Sequence, residues 1–306
     1  MQHFLTISQV PAELLRRMLD VAHRLKGQFR DSRQNEPLLA GRTLALIFEK
    51  PSLRTRVSFS VAMTHLGGST LMLRQEEIGL GKREPVQDVA RVLSGMCDGI
   101  MARVFAHRGL DDLAKWSRVP VINGLSDLAH PCQAMADLMT IEEHFGALSG
   151  KRIAYVGDGN NVARSLAAAC GRFGMSFVMA CPPNYELGGE DLDRIMSQNP
   201  AMDFETTHDP AEAVREADVV YTDTWVSMGQ EAEQSRRIRE FAGYEVNTEL
   251  LSHAPRHAVV MHCLPAHRGQ EISEEVFEGP RALIFAQAEN RLHFQKALLA
   301  VLLGGA

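Results

Sequence analysis

The chain has 306 residues, 45% of them hydrophobic and 23% charged, the composition of an ordinary globular protein. That length fits two domains better than one. Thirty-two Lys and Arg against 38 Asp and Glu leave a formal net charge of −6, which excludes a general nucleic-acid binder held by a basic surface but not a small basic pocket.

No apolar run approaches the ~18 residues of a membrane span, so no membrane partner is expected. The N-terminal stretch MQHFLTISQVPAELLRR has neither the basic start nor the long apolar core of a secretory signal. The cysteines are Cys97, Cys132, Cys170, Cys181 and Cys263. An odd number, wide spacing and no CxxC argue against a disulfide framework or a structural zinc site, and a cytoplasmic location is expected.

In chain order, TLALIF at 43–48 reads as a buried strand. A helix is expected over 53–66, closed by Gly67 and Gly68. Strands over 69–73, 99–104 and 119–123 alternate with helices over 85–96 and 110–116. A long helix follows over 131–145, and the loop GALSGK at 146–151 reads as a junction. The rhythm restarts with a strand over 152–156 and a helix over 161–173. Further strands are expected over 176–180, 204–207, 219–222 and 259–262, and the segment 280–303 ends in a helix. This alternation in two halves places the chain in the α/β class: two domains, each a parallel β-sheet flanked by helices, linked by long helices. Ligands of such folds sit at the carboxyl ends of strands, often in a cleft between domains, so chemistry is sought just after each strand.

FEKPSLRTRVSF, 48–59, is the first such place. Ser52 is placed to cap a helix whose first turn carries Arg54, Thr55 and Arg56. Cations there oppose the helix dipole, a local rule broken twice within three residues. An anion resolves the conflict, because free N–H groups, two hydroxyls and guanidinium groups can converge on a phosphate. The plain alternative is a pair of surface arginines matched by acids such as Glu49. Arg103 closes a strand and His130-Pro131-Cys132-Gln133 opens the long helix; a salt bridge and a helix cap are the ordinary readings of those two.

In the second half, Gly157-Asp158-Gly159-Asn160-Asn161-Val162 follows a strand and opens a helix. Val162 stands where a dinucleotide site wants a third Gly or Ala, and the next strand ends in Ala180-Cys181-Pro182-Pro183 without an acid, so NAD binding is the weaker reading. Asn161 also reads as a plain N-cap. Asp223 ends a strand before a loop containing Gly229, a place to receive an amine or simply a capping acid. His262, Cys263 and His267 lack the fourth ligand of a structural zinc site. No oxyanion motif accompanies Cys263 as a protease-type nucleophile.

SLRTR at 52–56 is similar to the S-T-R-T-R carbamoyl-phosphate motif of the aspartate/ornithine carbamoyltransferases. Arg103, HPCQ at 130–133, DVARVL at 88–93, DGNN at 158–161, DTWVSMG at 223–229, HCLPAHRG at 262–269 and QAENR at 287–291 match further motifs of that family, in its order, over about 3–300. The Ser-Met-Gly loop and the Cys of HCLPA resemble the ornithine branch rather than the aspartate branch. The resemblance implies a carbamoyl-phosphate-binding domain at 1–133, with the C-terminal helix 288–306 packed back on it, and an ornithine-binding domain at 134–287.

It also implies roles. Ser52 and Arg54 hold the phosphate, with a backbone N–H from Leu53, where the family commonly has Thr. Thr55, Arg103 and His130 hold the carbamoyl oxygen, and Gln133 takes the carbamoyl amino group. Cys263 and the Leu264 carbonyl line the reacting centre, and Arg291 returns to carbamoyl oxygen and phosphate. Asn161 and the Met228 N–H bind the α-carboxylate of ornithine, Asp223 and Ser227 its α-amino group. Arg103, His130, Cys263 and Arg291 are the expected catalytic set. No metal or organic cofactor is implied. The partners implied are carbamoyl phosphate, L-ornithine and further copies of the chain in a homotrimer or a higher multiple of it, with active sites near subunit interfaces. The loop 76–84 of the family reaches a neighbouring subunit's site; Gly79 stands where the family often has His or Gln, with Lys82 and Arg83 nearby.

Overall fold

The computed structural model describes residues 3–81, 83–227 and 229–304. The chain forms two compact units, Met1–Met139 with Glu289–Ala306, and Thr140–Ala288.

The first unit runs α1 (Ala12–Ser32), β1 (Thr43–Phe48), α2 (Leu53–His65), β2 (Ser69–Arg74), α3 (Gln75–Ile78), α4 (Val86–Ser94), β3 (Gly99–Arg103), α5 (Arg108–Trp116), β4 (Val121–Leu125) and the start of α6 (Pro131–Phe145). The second runs β5 (Arg152–Val156), α7 (Asn161–Arg172), β6 (Ser176–Ala180), α8 (Gly189–Gln198), β7 (Phe204–Thr207), α9 (Pro210–Val214), β8 (Val219–Thr222), α10 (Gln234–Glu240), α11 (Thr248–Ser252), β9 (Val259–His262) and α12 (Glu274–Phe277). The last helix, α13 (Ile284–Leu303), contributes to both, the division falling between Ala288 and Glu289. The other division falls inside α6, between Met139 and Thr140, leaving the last six residues of that helix in the second unit.

Both sheets are wholly parallel, ordered β2-β1-β3-β4 and β7-β6-β5-β8-β9. The buried runs of β1 and β3 meet Val89, Ala90 and Leu93 of α4 and Leu110 and Leu113 of α5 in one apolar cluster. Parallel strands buried on both faces read as unbroken apolar runs, which is why TLALIF and its like are legible as strands. In each sheet the chain moves outward to one side of its first strand and then crosses to the other. The crossover points lie between β1 and β3 and between β5 and β8. The carboxyl ends flanking such a point diverge and leave room for a ligand.

Three local differences from the sequence expectation have physical reasons. An amphipathic helix, α1, precedes the first expected element; Leu15, Met18, Leu19, Ala22 and Leu25 bury its inner face. Strand β4 extends to Leu125 rather than ending at Asn123, because the buried Asn123 amide donates to the Leu5 and Ala129 carbonyls at 2.9 and 3.2 Å. With its amide donors so paired, the residue need not end the strand. Gly79 caps α3 at φ +57°, and a Cβ there would lie 2.6 Å from the Arg83 Cβ, so local packing calls for glycine.

Lys296, on α13, is fully buried; its Nζ donates to Asn35 Oδ1 at 2.8 Å and lies 4.8 Å from the centre of the Phe29 ring. Burial pushes its pKa down to about 8. Between pH 8 and the ordinary lysine range, the folded chain therefore binds fewer protons than the unfolded one, and stability contributed at this position rises with pH. Urea denaturation of the protein and of Lys296→Met should show the wild type gaining on the variant by up to ~3 kcal/mol between pH 7.5 and 10. A pH-independent difference would refute the buried placement of that ammonium.

Candidate functional site

Four segments of the first unit converge around one hydroxyl. Ser52 caps α2, its side chain accepting the Thr55 N–H at 3.3 Å, which sets the first turn of the helix and turns Thr55 inward. The buried Thr55 Oγ1 accepts from Arg103 Nη1 at 3.5 Å and from Arg291 Nη2 at 3.1 Å. Arg103 is the last residue of β3, and Arg291 stands about two turns into α13. The other arm of Arg291 donates to Gln133 Oε1 at 2.7 Å, and Gln133 Nε2 donates in turn to the fully buried Asp137 at 2.7 Å. Gln133 and Asp137 are one turn apart on α6, so the helix itself supplies their spacing.

His130 stands immediately before α6, where Pro131 takes the first helical position at no hydrogen-bonding cost. Its pKa is held well below the ordinary value, first by burial and then by Arg291, Arg103 and Arg54. A neutral imidazole among three guanidinium groups offers a hydrogen bond without adding a charge. Arg54 is half-buried in the first turn of α2, while Leu53 beside it is exposed. Glu49, the acid available nearby to these arginines, instead accepts the Phe105 N–H at 2.7 Å. Lys50, not singled out by its motif, is buried with its ammonium 4.5 Å from the Phe105 ring centre. Arg103 and Arg291 are each more than nine-tenths buried. Buried cations are costly without negative charge nearby, and the crossover between β1 and β3 is a place where an anionic ligand can approach them.

The second unit builds a site of opposite sign at its own crossover. Asp223 follows β8 and is buried. Its carboxylate accepts from Asn160 Nδ2 at 2.9 Å and from the Cys263 thiol at 3.0 Å. Asn160, not Asn161, caps α7: its side-chain oxygen accepts the Val162 and Ala163 N–H groups at 2.9 and 3.1 Å. Asn161 is thereby released from the capping role its sequence position equally allowed. Burial, then Asp223 and Cys263, raise the Tyr155 phenol well above its ordinary range, so it stays a donor, to Asn160 Oδ1 at 3.3 Å.

Cys263 and Leu264 follow β9. Leu264 has φ +61°, its N–H donates to His262 Nδ1 at 2.9 Å, and a cis bond joins it to Pro265. His262 Nε2 meets Glu271 Oε1 at 3.1 Å. Asp223, His262 and Cys263 lie close enough to share an ion, but both imidazole nitrogens are committed to these protein bonds, and His267 is not in the group. Ser227 exchanges hydrogen bonds with Gln230, its N–H donating to Oε1 at 3.1 Å. Met228 and Lys82 lie outside the described residues. The Arg83 guanidinium donates to the Glu77 carbonyl of its own loop at 3.0 Å.

Residues 2–143 match the family model for the carbamoyl-P binding domain of aspartate/ornithine carbamoyltransferase, and 149–302 that for its Asp/Orn binding domain. The chain belongs to the aspartate/ornithine carbamoyltransferase family. It is 49% identical to the ornithine carbamoyltransferase of Methanopyrus kandleri, over 99% of this chain and 97% of that one. It is 47% identical to the enzyme of that name from Bacillus subtilis, over 98% and 93%. Among solved structures, ornithine carbamoyltransferase from Pyrococcus furiosus superposes with a TM-score of 0.96 at 47% identity, covering all of this chain and 98% of that one. That from Thermus thermophilus gives 0.88 at 45% identity, covering 98% of each.

For this carbamoyltransferase-family chain, the motifs at 52–56, 103, 130–133 and 291 come together in the first unit, and those at 160–161, 223 and 262–264 share the crossover end of the second. Asp137, Tyr155 and Asn160 are participants that motif reading passes over. A signal existed only for Asp137, one helical turn from Gln133. Replacing Asn160 with Ala removes a cap and an Asp223 partner. It should cost about 1–2 kcal/mol in urea denaturation, against less than ~0.5 kcal/mol for Asn161→Ala. Equal costs would mean that the two asparagines share the capping role.

Proposed function

We propose that this protein transfers the carbamoyl group of carbamoyl phosphate to the δ-amino group of L-ornithine, giving L-citrulline and phosphate, within arginine metabolism. The observation that carries the reading is the buried cluster of Arg103, Arg291 and neutral His130 around Thr55 in the first unit. The buried Asp223 carboxylate in the second unit supports it from the amine side. The printed names of its relatives agree with it.

In this reading Ser52, the Leu53 N–H, Arg54 and Arg291 hold the phosphate of the donor. Thr55, Arg103 and His130 donate to the carbamoyl oxygen, where negative charge develops as the amine attacks. Preorganised donors at such an oxygen lower the barrier by several kcal/mol. His130 serves because it is neutral: it donates one N–H and keeps room for the dianionic phosphate among the arginines. Gln133 accepts from the carbamoyl amino group. Asp223 and Ser227 receive the α-amino group of ornithine, and Asn161 with the Met228 N–H its carboxylate. Cys263 and the Leu264 carbonyl orient the δ-amine.

The δ-nitrogen forms the new C–N bond, the carbon–oxygen bond to phosphate breaks, and the amine proton passes to the departing phosphate. Orientation and electrostatics supply the rate, and the scheme invokes neither metal nor organic cofactor.

The assembly in this reading is a homotrimer working in the cytoplasm. Leu53 and Val57, one turn apart on α2, are 74% and 50% exposed, and Leu71 on the edge strand β2 is 46% exposed. Apolar side chains set toward solvent on one unit favour a surface covered by another copy of the chain.

Arg54→Ala should weaken carbamoyl phosphate binding roughly 100-fold by calorimetry, the scale of losing charge-assisted hydrogen bonds to a phosphate. Unchanged affinity would remove Arg54 from the anion site. Asp223→Ala should raise the ornithine KM far more than the carbamoyl phosphate KM in steady-state assays. An equal rise in both would contradict the division of ligands between the two sets of residues.

A further inference from the structure

The second unit carries another group of metal-ligating side chains, at the far side of its sheet from Asp223. Cys181 and His208 are the first residues after β6 and β7, strands paired in parallel with Ala180 opposite Thr207. The register therefore sets the two side by side. Glu186 comes back to them over the turn Cys181-Pro182-Pro183-Asn184-Tyr185. Two prolines, a left-handed Asn184 at φ +75° and the Tyr185 N–H bonded to the Pro182 carbonyl at 3.1 Å hold that turn. The thiol, a ring nitrogen and a carboxylate oxygen all lie within 4.8 Å of one another.

The histidine is already oriented for ligation. Its Nδ1 lies 2.8 Å from the Cys181 carbonyl, which can only accept, so Nδ1 carries a proton. In the neutral ring the lone pair is then on Nε2, and Nε2 faces Glu186 Oε1 at 3.7 Å. Metal-binding histidines show this same arrangement, the remote N–H tied to a carbonyl or carboxylate. The Tyr244 hydroxyl fixes the backbone behind it, donating to the His208 carbonyl at 2.8 Å. Two ligands on a tetrahedral ion with bonds of 2.0–2.3 Å stand roughly 3.3–3.8 Å apart, a range that the 3.7 Å between His208 Nε2 and Glu186 Oε1 meets, and the thiol lies within 4.8 Å of both. The His208 and Glu186 side chains are about half and a third exposed, which leaves an entry path and space for water.

We propose that Cys181, Glu186 and His208 form a binding site for a divalent cation of the zinc class, with water as the fourth ligand. One thiolate, one imidazole and one carboxylate select zinc over the harder magnesium and calcium. Burial, with Glu186 and Asp158, pushes the free Cys181 thiol up to about 12. Binding therefore breaks the S–H bond, forms the S–metal bond and releases one proton to solvent, with no change of oxidation state. The site also touches the loop after β5. The Gly159 N–H donates to the Tyr185 carbonyl at 2.8 Å, and a Cβ on Gly159 would lie 2.6 Å from the Glu186 backbone.

Cobalt(II) tests this, because a tetrahedral thiolate complex gives a charge-transfer band in the near ultraviolet. The titration uses the full chain as Cys263→Ser, so that the other cluster cannot bind through sulfur. The proposal expects one equivalent of cobalt, the thiolate band, about one proton released, and displacement by zinc. Cys181→Ser should abolish the band. His208→Gln, a change at a half-exposed side chain that spares the core, should weaken binding at least 10-fold. Absence of the band, its survival in Cys181→Ser, or unchanged affinity in His208→Gln overturns the site and leaves Glu186 and His208 as a surface pair.

Discussion

The first unit depends on one shared cation. The two arms of the buried Arg291 guanidinium reach Gln133 and Thr55, 158 and 236 residues away in sequence, and so tie α13 to α6 and α2. Arg103 reaches the same Thr55 hydroxyl from β3. Gln133 and Thr55 are both neutral, and burying a guanidinium is costly unless negative charge lies near it. The neighbouring His130 answers by staying neutral. Cationic and neutral donors fixed in advance are what an anionic substrate requires. The cost of holding them is met in folding rather than at the moment of reaction.

The second unit inverts the sign with the same architecture. Its crossover presents a buried carboxylate, Asp223, held by an amide on one oxygen and a thiol on the other. Tyr155 stacks on Tyr221 in the sheet below and offers only a neutral hydroxyl. A parallel sheet with one crossover thus makes an anion site or a cation site, according to which residues end its strands.

Much of this was legible in the sequence because buried parallel strands must be apolar throughout. The expectation for 43–48, 152–156, 176–180, 219–222 and 259–262 matches the strands found; that for 204–207 also matches, although β7 there is a polar, partly exposed edge strand. Arg54 stood out for a different reason, as a cation in a helix turn whose dipole disfavours it, whereas Arg56 in the same turn is exposed. Less legible were features decided by tertiary partners. Two adjacent asparagines offer the same cap, and only folding shows that Asn160 takes it. Asn123 stays in its strand because its amide donates to the Leu5 carbonyl, 118 residues away, and to that of Ala129. Asp137 matters through Gln133, and the left-handed turn at Gly79 is set by Arg83 rather than by any substrate motif.

The central claim is that these residues direct carbamoyl transfer to ornithine rather than to another amine. It is tested most directly by one incubation with carbamoyl phosphate and equal concentrations of ornithine, putrescine, N-acetylornithine and aspartate, with the carbamoylated products separated by mass. The account predicts citrulline as the dominant product and release of one phosphate per citrulline. Dominance of another carbamoylated amine, or no transfer to any of the four, would contradict it.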